Sequence, residues 1–271
     1  MANIVRLALL LLAVIVSSRA VSLIKPKDRC LNVMSSMTRI EKKIDDLEKA
    51  VYKQCNALAR HCAELYKKGY TTDGIYQVDP DGQGPIKVRC DMTTSGGGWT
   101  IIQRRVDGSV SFQRNWKDYM LGFGDHHSEF WLGLEHIKRM TNMERMILRV
   151  DMGDTTGDMK HAAYDFFAVA SKMTKYKLSL GAYSGNAGDA LVLHDGMEFS
   201  THDQDNDKSA QNCAQTYKGG WWYNACHKAN LNGFYYLGPH TSYADGVNWH
   251  PWKGYNYSLR EVEMKIRPFV F

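Results

Sequence analysis

A short run of acidic residues has the spacing at which oxygen ligands can surround a hard cation. Asp203, Asp205 and Asp207 fall at alternate positions, and carboxylates packed this closely repel one another unless a divalent cation lies between them. We therefore predict a Ca²⁺ site in this loop, with a solvated acidic turn as the alternative. The loop is not an EF-hand, because Lys208 stands where an EF-hand requires glycine and Ala214 where it requires glutamate.

Directly after this loop, two cysteines enclose a segment rich in aromatic residues. Cys213 and Cys226 lie on either side of Trp221, Trp222 and Tyr223, which we place at the tip of a small hairpin. Aromatic rings enclose a methyl group well, while a hydroxyl, an imidazole or a main-chain N–H can bond a carbonyl. The region therefore predicts a pocket for a small ligand, with an ordinary aromatic core as the alternative.

The N-terminus predicts secretion. Residues 1–20 contain one early cation, Arg6, then an apolar run from Leu7 to Val16, and they end in the small residue Ala20. This pattern is typical of a signal peptide, and the apolar run is too short to span a bilayer. No later stretch is apolar and uncharged over the roughly 18 residues that a membrane helix needs. We expect an extracellular protein without a membrane span.

Charge and cysteine content narrow the class of function. The 271 residues carry a formal net charge of +5. No basic run is interleaved with aromatic residues, so nucleic acid is not an expected partner. The sequence contains six cysteines and no C-x-x-C pair, and an even number of cysteines in an oxidising compartment predicts disulfides rather than a metal cage.

The segment 21–58 predicts a short coiled coil. Apolar residues recur there at spacings of three and four between charged residues, which is the heptad pattern of a helix that pairs with other helices. The alternative is a single amphipathic helix that lies on the main domain. The seam consists of Val33, Met37, Ile40, Ile44, Leu47, Val51 and Leu58.

Beyond this segment the chain changes to short strands, glycine turns and many aromatic residues. Near the C-terminus, Val262, Met264 and Ile266 alternate with Glu263 and Lys265, which predicts a strand with one buried and one solvated face. Strands of this kind are typical of antiparallel sheets, so we predict an α+β domain.

The ordered motifs of residues 59–271 resemble the fibrinogen C-terminal domain family. They include VRCDMTTSGGGWTIIQRRVDGSVSFQRNW, FSTHDQDND, NCAQTYKGGWWYNACHKANLNG and GYNYSLREVEMKIRP. The stretches around Cys213 and KGYNYS are most similar to ficolins and the horseshoe-crab tachylectins. The resemblance implies a globular α+β domain with a twisted antiparallel sheet, preceded by the short coiled-coil helix. It also implies a secreted, oligomeric, calcium-dependent lectin that recognises acetyl groups.

The resemblance accounts for four of the cysteines. It implies two intrachain disulfides, Cys62–Cys90 and Cys213–Cys226. Cys30 and Cys55 are then left over, and if the residues between them form a helix, they lie about 37 Å apart. Bridged α-carbons lie within about 7 Å of each other. We therefore predict that Cys30 and Cys55 form interchain disulfides in a homo-oligomer.

The resemblance also implies the site residues. Ca²⁺ would be held by the carboxylates of Asp205 and Asp207 and the main-chain carbonyls of Ser209 and Gln211, with Asp203 reaching it through a water. The peptide bond before the second hairpin cysteine is cis in these relatives, and Ala225 replaces a larger polar residue there. The ligand-binding residues carried over one by one are Tyr217, Ala225, Cys226, His227, Tyr243, Ala244 and Tyr255.

These residues lead to a prediction of function. We expect a secreted lectin that binds N-acetylated sugars on microbial surfaces in innate immune recognition, made multivalent by its coiled coil. The alternative is a secreted protein ligand of a cell-surface receptor, the angiopoietin-like use of the same domain. We predict no enzyme activity, because Cys226 beside His227 would be consumed in the disulfide. Asn256, in the sequon Asn256-Tyr257-Ser258, is a candidate for glycosylation.

Overall fold

The computed structural model describes residues 26–56 and 58–271, with side chains for 32–49 and 58–271. The chain divides into two compact units, one up to Ala57 and one from Leu58 to Phe271. The predicted signal peptide, residues 1–20, lies outside the described residues. Within the described part, no helix is both long enough and apolar enough to cross a membrane.

The first unit contributes one helix, α1 (Pro26–Asn56). Part of its predicted seam is exposed: Val33 and Met37 are each 41% accessible and Leu47 is 62% accessible, whereas Ile40 and Ile44 are half-buried. Leu58, which we placed at the end of the seam, lies beyond the helix and in the second unit. The helix that the heptads predict is present, and its pairing with other chains stays a prediction.

The second unit contains the strands and the remaining helices. In chain order the strands are β1 (Gly74–Val78), β2 (Ile86–Asp91), β3 (Trp99–Arg105), β4 (Phe123–Gly124), β5 (Phe130–Trp131), β6 (Met146–Gly153), β7 (Met159–Val169), β8 (Leu178–Leu180), β9 (Tyr183–Gly185), β10 (Ala229–Asn230), β11 (Gly238–Pro239), β12 (Asn248–Trp249), β13 (Tyr257–Ser258) and β14 (Glu261–Pro268). The helices are α2 (Cys62–Lys67), α3 (Trp116–Leu121), α4 (Leu134–Thr141), α5 (Cys213–Thr216) and α6 (His250–Lys253).

A ten-stranded antiparallel sheet organises this unit. Its main path runs β1-β2-β3-β14-β6-β7-β8, while β5 joins β3, β4 joins β5 and β9 joins β7. The last strand along the chain, β14, therefore lies in the middle of the sheet, between β3 and β6. Two small pairs, β10 with β12 and β11 with β13, lie outside the sheet. The predicted α+β class and the antiparallel sheet are confirmed.

The alternation predicted for β14 holds on one face only. Val262, Met264 and Ile266 are at most 1% accessible and belong to the core. Lys265, which we placed on the solvated face, is also only 1% accessible. A β-bulge between Met264 and Lys265 shifts the register against β3 at this point.

Lys265 is buried because three carboxylates surround its ammonium group. Its Nζ lies 2.6 Å from Asp91, 2.9 Å from Asp151 and 3.0 Å from Glu263. Burial opposes the charged form of Lys265, but the attraction of these carboxylates outweighs burial and raises its pKa. The second face of the sheet is therefore a charge-paired layer at this position and not a solvated one.

The site region has little regular structure and depends on buried aromatic residues. Trp221, Trp222 and Tyr223 are at most 1% accessible, so these three side chains belong to the aromatic core, the alternative that the sequence left open. Indole Nε1 of Trp222 donates to the carbonyl of Tyr176 at 2.8 Å, and the rings of Trp222 and Phe199 meet edge to face at 5.1 Å. These side chains form the base under the site.

Candidate functional site

A hollow of about 260 Å³ lies beside the disulfide Cys213–Cys226. It is formed by the end of the hairpin, the loop before β12 and the segment before β13. All seven predicted ligand-binding residues line it. The complete lining is Leu193, Tyr217, Ala225, Cys226, His227, Lys228, Tyr243, Ala244 and Tyr255.

The hairpin that carries the first wall is fixed at both ends. Asn212 caps α5, since a side-chain oxygen at this position accepts an otherwise unbonded N–H of the first turn. The disulfide then joins Cys213, at the start of α5, to Cys226, at the end of the hairpin. The peptide bond between Ala225 and Cys226 is cis. The hairpin therefore presents its last residues at a fixed place.

His227 forms the floor of the hollow. Its ring lies edge to face with Tyr217 at 4.6 Å and with Tyr255 at 5.6 Å between ring centroids. Burial, with a smaller contribution from the nearby His194, lowers its pKa to about 3, so the imidazole is neutral at pH 7. Neither ring nitrogen has a hydrogen-bond partner among the described residues. Both nitrogens are buried, and the main chain of Ala244 lies close enough to oppose the lowering of the pKa in part.

The opposite wall comes from two segments that hydrogen-bond each other. The N–H of Ala244 donates to the carbonyl of Tyr255 at 3.1 Å, and the hydroxyl of Tyr255 donates to the carbonyl of His227 at 2.9 Å. Tyr243 packs against Tyr255 at 5.3 Å and is 64% accessible. Tyr255 is therefore fixed by its neighbours, whereas Tyr243 forms an exposed rim.

The predicted Ca²⁺ loop places two carboxylates side by side. Burial and the neighbouring Asp205 carboxylate raise the pKa of Asp207, against the opposing main-chain N–H bonds of Ser209 and Cys213. A cation between the two carboxylates would relieve this repulsion, so the residues fit a hard divalent ion. Among the described residues no group of three or more His, Cys, Asp or Glu side chains could hold a metal. A site here therefore needs carbonyls, as predicted for Ser209 and Gln211, together with water.

The acidic loop is connected to the hollow through main-chain bonds. Oδ2 of Asp207 accepts the N–H of Cys213 at 2.8 Å, and the N–H of Lys208 donates to the carbonyl of Asn224 at 3.0 Å. The N–H of Asn224 in turn donates to the carbonyl of Cys226 at 2.8 Å. The loop and the hairpin end that lines the hollow are therefore joined by a series of hydrogen bonds.

Asp203 has a separate structural role. Its Oδ1 accepts the N–H of Trp116 at 2.9 Å and the hydroxyl of Thr201 at 2.7 Å. Trp116 is the first residue of α3, where N–H groups lack partners within the helix. The side chain of Asp203 therefore anchors the start of α3. It is not part of the interacting pair of carboxylates formed by Asp205 and Asp207.

The sequence pattern of one family covers nearly all of the second unit. That family, described as the C-terminal globular domain of fibrinogen beta and gamma chains, matches residues 58–269. The chain belongs to the fibrinogen C-terminal domain family. A fibrinogen-like domain of this kind is a binding domain and not an enzyme.

The relatives of this fibrinogen-like domain fall into two groups by name. Mouse angiopoietin-related protein 7 is 51% identical over 215 residues, which cover 78% of this chain and 64% of the relative. Techylectin-5A of Tachypleus tridentatus is 48% identical over 216 residues, which cover 78% of this chain and 74% of the relative. The chain thus spans less than two thirds of the length of the angiopoietin-related proteins it matches.

Solved structures agree with this assignment. The fibrinogen-like globe domain of human ANGPTL2 superposes with a TM-score of 0.76 at 46% identity, covering 78% of this chain and 99% of that one. The corresponding domain of human ANGPTL6 gives 0.75 at 42% identity. The fold inferred from the sequence motifs is therefore that of this family.

Two residues of the hollow were not predicted. Leu193 enters from a turn that is held by the buried His194, whose Nδ1 contacts the carbonyl of Trp222 at 2.7 Å. Lys228 stands at the rim, exposed and without a carboxylate within 4.0 Å among the described residues. Because Lys228 directly follows the predicted residue His227, the sequence could have identified it as part of the lining. Leu193 lies more than twenty residues away in the sequence from the rest of the lining, and no sequence signal pointed to it.

Proposed function

We propose that this fibrinogen-like protein is a secreted lectin that binds the acetyl group of N-acetylated sugars in the hollow. One observation carries the proposal: all seven residues carried over from the acetyl-binding relatives line one hollow of about 260 Å³ beside the disulfide Cys213–Cys226. The aromatic rings suit a methyl group, and main-chain polar groups of the hairpin end suit the adjacent carbonyl or amide. Glycans of microbial surfaces, met in innate immune recognition, are the expected source.

A single hollow of this size binds weakly. Burial of one methyl group contributes about 1–2 kcal/mol, so one site is no tighter than the high micromolar range. Linked copies gain about 10²- to 10⁴-fold in avidity. The proposed lectin therefore depends on an oligomer.

The N-terminal helix supplies a route to that oligomer. Val33, Met37 and Leu47 are exposed along α1, and such a seam favours pairing with the same helix of another chain. Cys30 and Cys55 both fall within α1, although their side chains lie outside the described residues. We propose that they bond covalently between chains. Non-reducing electrophoresis should show dimers or larger species that collapse on reduction, and a monomer under both conditions would contradict the proposal.

Calcium is proposed to preorganise the hollow without touching the sugar. The bonds from Asp207 to Cys213 and from Lys208 to Asn224 connect the two sites. Binding of the ion fixes the hairpin end in advance, which lowers the entropy that the ligand must remove.

The comparisons favour the other candidate, a secreted protein ligand of a cell-surface receptor, over the lectin. The observation behind it is the 51% identity to angiopoietin-related protein 7, against 48% to Techylectin-5A. Identity over a whole domain depends mainly on residues that build the fold, whereas the lectin proposal depends on the nine residues of the hollow. Overall identity therefore does not decide between the two candidates, and both are tested on the same purified protein.

The deciding experiment uses the full chain on an acetylated resin. We expect retention in millimolar Ca²⁺, elution by N-acetylglucosamine, N-acetylgalactosamine or free acetate, and no elution by glucose or galactose. Tyr243→Ala should abolish retention, because the exposed rim is removed while the core is unchanged. Tyr70→Ala, at an exposed tyrosine that does not line the hollow, is the matched control and should bind normally.

The opposite result would favour the receptor ligand. Equal elution by acetylated and plain sugars, or normal binding by Tyr243→Ala, contradicts the lectin. Saturable binding to cells that neither acetate nor Tyr243→Ala affects would then support the angiopoietin-like candidate.

A further inference from the structure

The side chain of Asn256 connects the two segments that form the outer wall of the hollow. Its Nδ2 donates to the carbonyls of His240 at 3.3 Å and Ser242 at 2.9 Å. The N–H of His240 donates back to the carbonyl of Asn256 at 3.0 Å. Asn256 directly follows Tyr255, and residues 240–242 directly precede Tyr243. The amide therefore ties one wall residue to the other.

The third residue of the sequon, Ser258, lies in the interior of the domain. Ser258 is fully buried. Its Oγ accepts the N–H groups of Tyr236 at 3.3 Å and Val247 at 3.1 Å and lies 3.4 Å from the carbonyl of Phe234. In the folded domain Ser258 is therefore buried, whereas Asn256 is exposed but has its side-chain amide bonded to two carbonyls.

We propose that Asn256 is a positioning residue for Tyr243 and Ala244, and that an N-glycan on Asn256 and an ordered hollow exclude one another. Glycosylation joins Nδ2 to the anomeric carbon of the first sugar. One hydrogen of Nδ2 leaves as a proton, and the diphosphate of a lipid-linked sugar donor is the leaving group. The modified amide keeps one N–H, so it can serve only one of the two carbonyls. The sugar must also stand where the other carbonyl now lies.

The far end of the same segment has an independent anchor. Oδ1 of Asp245 accepts the hydroxyl of Ser242 at 2.6 Å, and its Oδ2 lies 2.6 Å from Nζ of Lys218. Removal of the Asn256 amide should thus loosen residues 240–244 without unfolding the domain. The role assigned to Asn256 is a local one that can be separated from overall stability.

Hydrogen exchange on the full chain tests the positioning role without any ligand. Asn256→Ala should speed exchange in peptides covering residues 240–245 by about tenfold or more, the factor that corresponds to about 1.4 kcal/mol. Peptides from β6 and β14 should exchange as in the wild type. The matched control is Asn142→Ala, at an exposed asparagine of the same unit whose side chain makes no hydrogen bond among the described residues. Unchanged exchange at 240–245 would overturn the proposal.

The second half of the proposal rests on the lectin function and has its own test. The full chain is secreted from a glycosylating host and passed over the acetylated resin, and intact mass is measured before and after enzymatic removal of N-glycans. We expect every retained molecule to be unmodified at Asn256, with any glycosylated molecules in the flow-through. A glycan on Asn256 in the retained fraction would refute the exclusion. If the resin retains no form, the lectin function fails while the exchange data still decide the role of Asn256.

Discussion

The hydroxyl of Tyr255 donates to the main-chain carbonyl of His227 at 2.9 Å. Tyr255 belongs to the outer wall of the hollow, before β13, and His227 forms its floor, directly after the second hairpin cysteine. The ring of Tyr255 also contacts His250 at 4.2 Å, so the ring contact and the hydrogen bond together fix the side chain against the floor.

Loss of this bond should weaken both stability and binding. Tyr255→Phe keeps the ring and removes only the donor, so we expect a loss of about 1 kcal/mol in the free energy of unfolding and weaker retention on the acetylated resin. Denaturant unfolding gives the first quantity. Tyr243→Phe is the control, because the hydroxyl of Tyr243 has no hydrogen-bond partner among the described residues. Equal stability of the wild type and Tyr255→Phe would contradict this account.

Either a bound ion or removal of one charge should relieve the repulsion in the Ca²⁺ loop, but only the wild type should respond to the ion. At about 100 times its dissociation constant, the ion should add roughly 2.7 kcal/mol to the free energy of unfolding. Asp205→Asn should lose this gain, yet in chelator it should be at least as stable as the wild type, because the repulsion on Asp207 is removed. Thermal unfolding in millimolar Ca²⁺ and in chelator measures both effects.

The control for the loop is Asp158→Ala, at an exposed carboxylate on a different turn. It should keep the full response to calcium. A melting temperature of the wild-type protein that is identical in calcium and in chelator would show that the loop binds no ion.

His227 should make stability depend on pH in weakly acidic solution. Its folded pKa of about 3 lies below the unfolded value of about 6.5, so between these values the unfolded state binds more protons. The free energy of unfolding therefore falls as the pH falls through this window. His194, whose pKa burial lowers to about 4, acts in the same direction.

The contribution of His227 can be isolated by substitution. His227→Phe should reduce the slope of unfolding free energy against pH near pH 5 by about 1.4 kcal/mol per unit. Urea titrations from pH 4.5 to 7, a window set by these values, measure the slope. His127→Ala, at an exposed histidine, should keep the wild-type slope. An unchanged slope in His227→Phe would mean that the imidazole is not held neutral by its surroundings.

The buried ammonium of Lys265 should contribute more to the free energy of unfolding at neutral pH than in acid. Lys265→Met leaves the carboxylates of Asp91, Asp151 and Glu263 without their cation, and removal of one partner from a buried ion pair costs about 3–5 kcal/mol. Burial opposes ionisation of Asp91, but Lys265 outweighs it and lowers the pKa of that carboxyl. This contribution to stability is therefore present above the unfolded pKa of about 3.9 and is lost progressively as the pH falls from that value towards the lower folded pKa.

The test compares Lys265→Met with the wild type at pH 7 and pH 3, on either side of that pKa. The difference in unfolding free energy should shrink at the lower pH, where the carboxylates take up protons. Lys172→Met, at an exposed lysine without an ion pair among the described residues, should be neutral at both. A difference that does not change with pH would show that packing, and not charge, is responsible.

Much of the fold follows from local signals in the sequence. The alternation of Val262, Met264 and Ile266 identified β14 and its buried face, because burial on one side imposes a period of two. The heptad spacing of apolar residues identified α1, because a helix places residues three and four positions apart on one face. Residues such as Tyr217 and Tyr255 came from motifs, since nothing in their spacing alone brings positions 38 residues apart to one hollow.

The remaining features depend on partners that are distant in the chain. Lys265 looks like a surface residue until Asp91 and Asp151 are brought beside it from β2 and β6. Trp221 and Trp222 lie between two cysteines in a segment with little regular structure, and their burial depends on the core over which that segment folds. Such outcomes are decided by tertiary contacts, which a local pattern does not contain.

The central position of β14 has a consequence for biosynthesis. A ribosome delivers the middle of this sheet last, so β3 and β6 each keep an unpaired edge until residues 261–268 have emerged. Exposed edges of this kind are templates for other strands, so nascent chains in this state are prone to aggregate. A premature stop codon just upstream of Glu261 would therefore remove the centre of the domain and not a dispensable tail.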